Sequence, residues 1–165
     1  MLSDLGAWFV FIHVFAAFVF AAGHGVSIVI AFRLRREREP ARIAALLDAS
    51  HWSLNVVAVG LLGLLISGVA AGWLRASFAT GWFWLSVVLL VVVGGLMTPL
   101  GSTYYTRVRQ AIGQRRGLKE TDPDPVPVSP EELDRLLSSH RPEMLLLLGG
   151  GGFLVILWLM MFRPF

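Results

Sequence analysis

"RLRREREPARIAALLDAS", residues 33–50, carries five arginines and is bounded by two long apolar runs, Leu5–Phe32 before it and Leu54–Trp73 after it. Its single helix breaker is Pro40. A residue before proline is biased away from helix, whereas proline itself suits a first helical turn. The stretch therefore reads as the turn of an antiparallel hairpin at Glu39–Pro40, with both helices projecting past the layer that buries the apolar runs.

Two further apolar runs follow, Trp82–Tyr104 and Met144–Phe162. Each of the four is about 20 residues or longer, enough for a helix to cross a hydrocarbon layer of ~30 Å. Backbone polar groups in lipid must be satisfied within the protein, and the alternation of a barrel strand is absent, so the runs are expected to be helices. The chain is 56% hydrophobic and 15% charged, far from the soluble average. The first run is not expected to be a cleavable signal peptide, because no basic residue precedes it and it exceeds the length of an h-region. The expected fold class is all-α, an integral membrane four-helix bundle forming one domain over residues 1–165.

Arginine and lysine set the expected orientation. Of 14 in all, five lie between the first two spans and seven between the last two (Arg107, Arg109, Arg115, Arg116, Lys119, Arg135, Arg141). Only Arg75 and Arg163 lie on the other side. The bias places loops 33–53 and 105–143 in the cytoplasm and both termini outside, as in a bacterial inner-membrane protein. The basic balance thus reports topology and contact with anionic lipid. Nucleic acid is not an expected partner, since that would need a folded basic domain. The chain has no cysteine, which excludes disulfides, thiolate chemistry, iron–sulfur clusters and covalent haem attachment through Cys-x-x-Cys-His.

Aromatic residues mark both edges of the layer: Trp8, Trp73, Trp82 and Trp84 on the outer side, Tyr104 and Tyr105 on the inner. Thr98-Pro99 is expected to kink the third span. In the second long loop, "TDPDPVPVSP" (121–130) reads as an extended linker. "SPEELDRLLSSH" (129–140) opens with a capping box from Ser129 to Glu132, with Pro130 at the first helical position. Leu133, Leu136 and Leu137 share one side of that short helix, which suits it to lie on the inner membrane surface.

The candidate chemistry lies in "FAAGHGVSIVI", residues 20–30. An ionisable group inside a membrane span is costly and functional by default, which singles out His24 and, earlier on the same helix, His13. The two are 11 residues apart, a rotation of about 20° and a rise of ~16 Å, so they share one face at two depths. Counted from the turn, His24 and His51 differ by three residues, or ~4–5 Å, which tilt can absorb. They therefore form a candidate axial pair for b-type haem, with Asp48 placed to fix the tautomer of His51 and Asn55 one turn further along. Gly23 and Gly25 would let a flat macrocycle approach the backbone, and Arg33 and Arg36 could pair with its propionates. Glycines in such spans also serve plain helix packing.

His13 has no histidine partner in the outer half, but Met160 lies near the outer end of the fourth span. A thioether there suits haem iron or Cu(I). His140 reads as an interfacial cap. The expected function is that of a b-type haem protein using His24 and His51 for electron transfer, with quinone or a membrane redox partner, or for redox tetrapyrrole handling. The alternatives are a copper-handling protein using His13, His24 and methionines, and a non-enzymatic subunit of a homo-oligomer or larger membrane complex. No Walker loop, dinucleotide fingerprint or serine–histidine–acid set is present.

"FIHVFAAFVFAAGHGVSIVIAFRLRRE" (11–37) followed by "ARIAALLD" (41–48) resembles the grouping of bacterial membrane proteins that includes copper-resistance D and the HemJ-type protoporphyrinogen oxidases, and looks closest to its four-helix relatives. His13 matches the early histidine of those families and Ala22–Gly23 their small-residue patch. The resemblance spans roughly residues 8–48 and implies haem or copper handling in the cytoplasmic membrane. The only lysine here is Lys119, so the in-membrane lysine associated with the oxidase has no counterpart, and that activity is not carried over.

Overall fold

The computed structural model describes residues 2–115 and 123–165. Helix α1 spans Leu2–Leu34, α2 Pro40–Leu74, α3 Gly81–Ala111, α4 Pro130–Leu137, α5 Arg141–Leu145 and α6 Gly151–Phe162, with a π-helical turn at Leu146–Gly150 joining α5 to α6. Four stretches are long and apolar enough to cross a membrane: α1, α2, α3, and the composite run from α4 to α6. Among the described residues there is no strand, as expected of an all-α membrane bundle. Lys119 and the start of the 121–130 linker lie outside the described residues.

Pro40 opens α2 behind an extended Glu39, so the turn forms where the sequence places it. From there α1 and α2 run antiparallel in a constant register. Ser27 Oγ meets Ser53 Oγ at 2.7 Å, and His13 Nδ1 lies 3.1 Å from the Leu64 carbonyl oxygen. Between these levels glycine sets the distance. A Cβ on Gly60 would lie 2.6 Å from the Phe20 backbone nitrogen, and one on Gly23 would lie 3.0 Å from the Val57 nitrogen. The helices therefore touch backbone to backbone, the small-residue packing that replaces a hydrophobic drive inside lipid.

The same register corrects the expected level of His51. With Phe20 beside Gly60 and Gly23 beside Val57, His24 is level with Val56, five residues beyond His51, or about 7.5 Å along the axis. The turn residues Arg35–Glu39 continue away from the bilayer before α2 starts back, so counting from Glu39 misplaces the two helices.

The end that carries the Glu39–Pro40 turn holds the best-filled core, built from Ile30 and Leu34 of α1, Ile43 and Leu47 of α2, Tyr104, Val108 and Ala111 of α3, and Leu133 and Leu137 of α4. Helix α4 forms as its capping box requires, with Ser129 Oγ accepting from the Glu132 backbone N–H. Its apolar face, however, is spent on this core, with Leu133 and Leu137 both buried. It closes the bundle instead of lying on lipid. Tyr104 is likewise buried and belongs to the core, not to an aromatic belt. Trp8, Trp73 and Trp84, at the opposite end of the bundle, are exposed, as a belt requires. Helix α3 continues through Pro99, with Thr98 Oγ donating to the Gly94 carbonyl one turn back.

Ion pairs fasten the same end: Arg35 to Glu143, Arg38 to Asp134, and the buried Arg109 to Asp48 at 3.1 Å. The two arginine-rich connections thus lie together. The C-terminus sits at the opposite end, where the Trp82 N–H donates to the Phe165 carbonyl.

Gly60→Ala forces the close contact with Phe20 apart and should cost about 1–3 kcal/mol. Gly94→Ala, with open space around its Cβ, should stay within about 0.5 kcal/mol of wild type. Thermal unfolding of both variants in detergent checks the difference, and equal stabilities would remove the close-contact explanation.

Candidate functional site

Because α2 closes one side of α1 at backbone distance, the long side chains of α1 on the adjoining face reach toward α6. Three contacts step along that seam. His13 faces Met160, Phe20 stacks near Phe153 with ring centroids 6.0 Å apart, and His24 lies against Gly149. The first members rise by seven and then four residues while the second fall by the same steps, the antiparallel heptad spacing of packed helices. His13 and His24 thus share one seam at two depths, as their spacing predicts.

His13 is held on both ring nitrogens. Nδ1 lies 3.1 Å from the Leu64 carbonyl oxygen and 3.3 Å from Ser67 Oγ. A carbonyl only accepts, so Nδ1 carries the proton. Ser67 Oγ donates back to the Gly63 carbonyl, leaving its lone pairs for the same ring N–H. In the neutral imidazole Nε2 is then an unprotonated donor atom, and it faces Met160 Sδ at 3.4 Å. A backbone acceptor fixing the tautomer of one nitrogen while the other points at a soft atom is the usual surrounding of a metal-binding histidine.

At the second level His24 stacks on Phe20, with centroids 6.1 Å apart and planes 11° from parallel. Its Nε2 is buried with no hydrogen-bond partner. A Cβ at Gly149 would lie under 3.0 Å from both His24 Nε2 and Met97 Sδ, so those two atoms converge on one small space. Gly149 falls inside the π-helical turn at Leu146–Gly150. Such single turns recur at functional sites because the widened turn re-aims side chains and frees a backbone carbonyl. Pro99, two residues after Met97, cannot donate to the carbonyl four residues back, which loosens α3 at the same level.

The structure does not bring His24 and His51 together. His51 and Asn55 are exposed, and the Asp48 carboxylate faces Arg109 of α3. Gly23 serves the α1–α2 contact, which leaves no slot of porphyrin width between those helices. Gly25 has open space beside it. Arg33 and Arg36 line a shallow depression with Ile28, Val29 and Phe32 near the end that carries the Glu39–Pro40 turn. His140 is exposed. Among the described residues no three His, Asp or Glu side chains converge as a metal cluster. The residues that sequence reasoning missed are Met97, Ser67 and the Leu64 carbonyl. Met97 had a faint signal, being one of five methionines and close to the proline of its span.

These features define a multi-span helical membrane protein whose interior seam carries paired imidazoles and thioethers. The chain belongs to the family described as "Predicted integral membrane protein (DUF2269)", which it matches over residues 8–164. No curated protein and no solved structure matches it.

Histidine tautomers offer a direct check. In protein labelled with 15N-histidine, solid-state spectra above the titration range should assign His13 to the Nδ1–H form, identified by its loss in His13→Gln. An Nε2–H assignment would contradict the Leu64 hydrogen bond.

Proposed function

We propose that this protein binds Cu(I) within the bilayer, using His13 and Met160 as its main ligands and His24 with Met97 as a second, deeper station. The observation that carries the reading is the His13 environment: one nitrogen protonated and anchored to α2, the other lone pair aimed at a thioether 3.4 Å away. Two lone pairs facing each other in an apolar seam repel unless a cation lies between them. Thioether is a soft ligand that selects Cu(I), and imidazole also suits copper.

Distance favours copper over haem at this pair. With metal–ligand bonds of about 2.0 Å to nitrogen and 2.3 Å to sulfur, donors 3.4 Å apart subtend about 105° at a shared ion. A haem held by both donors would need room for a macrocycle between them, which a 3.4 Å contact does not leave. The two stations lie on one helix ~16 Å apart, so one chain places soft donors in both halves of the membrane. The arginine bias supports a cytoplasmic membrane location with both termini on the outer face.

Anaerobic titration of the purified protein against a chromogenic Cu(I) chelator tests the proposal. Wild type should bind Cu(I) tightly, and His13→Ala or Met160→Leu should each weaken it about 10–100-fold, the scale on which metal-site residues act. Ser67→Ala should produce a smaller loss. Equal copper binding by wild type and the His13→Ala/Met160→Leu double variant would sink the reading. A Soret band in the purified protein that disappears in His24→Ala would replace it with haem.

A further inference from the structure

Away from the histidines, a pocket of roughly 370 Å³ opens at the cytoplasmic end of α3, lined by Tyr104, Arg107, Arg135, Leu136, Ser139 and Arg141. We infer that this pocket binds the phosphate of an anionic phospholipid from the inner leaflet. The lining presents three guanidiniums and no carboxylate. Arg135 is partly neutralised by Glu132 at 2.8 Å, which leaves Arg107 and Arg141 to set the sign of the field.

The pocket also holds polar groups in need of an acceptor. The Tyr104 and Ser139 hydroxyls lie beside one another, yet both are buried without a well-formed hydrogen bond. Tyr104 is only 3% exposed, so its hydroxyl has no recourse to bulk water. Such a group costs about 1–3 kcal/mol while unsatisfied. A phosphate that drew the Tyr104 and Ser139 side chains toward the pocket would give their hydroxyls an acceptor, while the guanidiniums supply the charge that holds it. Guanidinium forks match phosphate geometry. Arg141 is already held in place at the pocket, since its Nη1 donates to the Leu100 carbonyl and its guanidinium lies over the Tyr104 ring at 5.9 Å.

Position decides between a lipid and a free ion. The Arg141 guanidinium reaches the carbonyl of Leu100, in the last apolar turn of the third span, and Leu136 forms one wall. Met144 and Leu146, the exposed start of the fourth span, follow directly in the chain. The mouth therefore lies where headgroups give way to acyl chains, and a lipid places its phosphate there while its tails stay in the bilayer. The site is independent of any metal on the α1 seam.

Native mass spectrometry of the delipidated full-length protein, offered phosphatidylglycerol or phosphatidylcholine of the same acyl chains, provides the test. Phosphatidylglycerol should be retained about tenfold better. Arg107→Gln should reduce that retention about fivefold, the fold-change expected for one basic residue at an anionic surface, and Arg135→Gln, whose charge Glu132 already offsets in part, should reduce it less. Tyr104→Phe should reduce it without loss of fold, and Arg75→Gln in the outer loop should change nothing. Equal retention of the two lipids, or undiminished phosphatidylglycerol binding by the Arg107→Gln/Arg135→Gln variant, would overturn the inference. So would complete displacement by millimolar inorganic phosphate, which would mark the pocket as a free-ion site.

Discussion

The contact on which the rest depends is the backbone-to-backbone approach of α1 and α2 at Gly60 and Gly23. Once a carbon atom's width is removed from that interface, the two helices lock in a single antiparallel register. Every polar residue on α1 then has a fixed height and direction. His13 reaches the Leu64 carbonyl because the register places it there, and its far nitrogen is left to face α6. Without glycine at position 60 the helices would stand apart and the same histidine would have no backbone acceptor in reach.

The bilayer imposes a second demand: polar atoms must be satisfied by the chain itself. The serines meet it locally. Ser67, Ser86 and Thr98 each donate to a carbonyl one turn back, which satisfies the hydroxyl at the cost of a slight destabilisation or bend of the helix. The imidazoles cannot do this. Each has two nitrogens pointing in opposite directions, one a donor and one an acceptor when neutral, so a single local carbonyl satisfies only one side. In His13 the other side meets a thioether, and in His24 it meets a glycine-floored space beside a second thioether. That asymmetry makes the seam a candidate for soft-metal chemistry.

The two ends of the bundle are stabilised by different physics. Within the apolar layer, lipid tails are as hydrophobic as leucine, so helix association rests on close packing and a few hydrogen bonds. The many exposed large side chains along the spans, Phe11, Phe18, Leu62 and Val91 among them, suit that environment. At the arginine-rich end, past the apolar layer, water returns, and with it the hydrophobic drive. There the chain builds a conventional core under α4 and ties it with the Arg35–Glu143 and Arg38–Asp134 pairs. The arginines that mark topology in the sequence thus also hold the two loops together.

Periodicity, length and charge bias were enough to give four spans, the Glu39–Pro40 turn, the Ser129 cap and the shared face of His13 and His24. These are local or one-dimensional properties, set by helix geometry and by the cost of polar groups in hydrocarbon. The partners of those histidines were a different matter. Met160 was legible as a soft donor at the outer end of its span, but Met97 was not, because its height depends on how α3 packs against α6. His24 and His51 are not level because a turn can continue outward before it reverses, which adds about two residues to the three-residue offset already present when counting from Glu39. The sequence contains the turn residues but not that displacement. The faces of Leu133 and Leu137 were likewise visible as apolar, yet only the packed structure decided that protein, not lipid, covers them. Sequence thus determined which groups are unusual in a membrane, and tertiary structure decided what each one meets, because register between helices is a collective outcome of all their contacts.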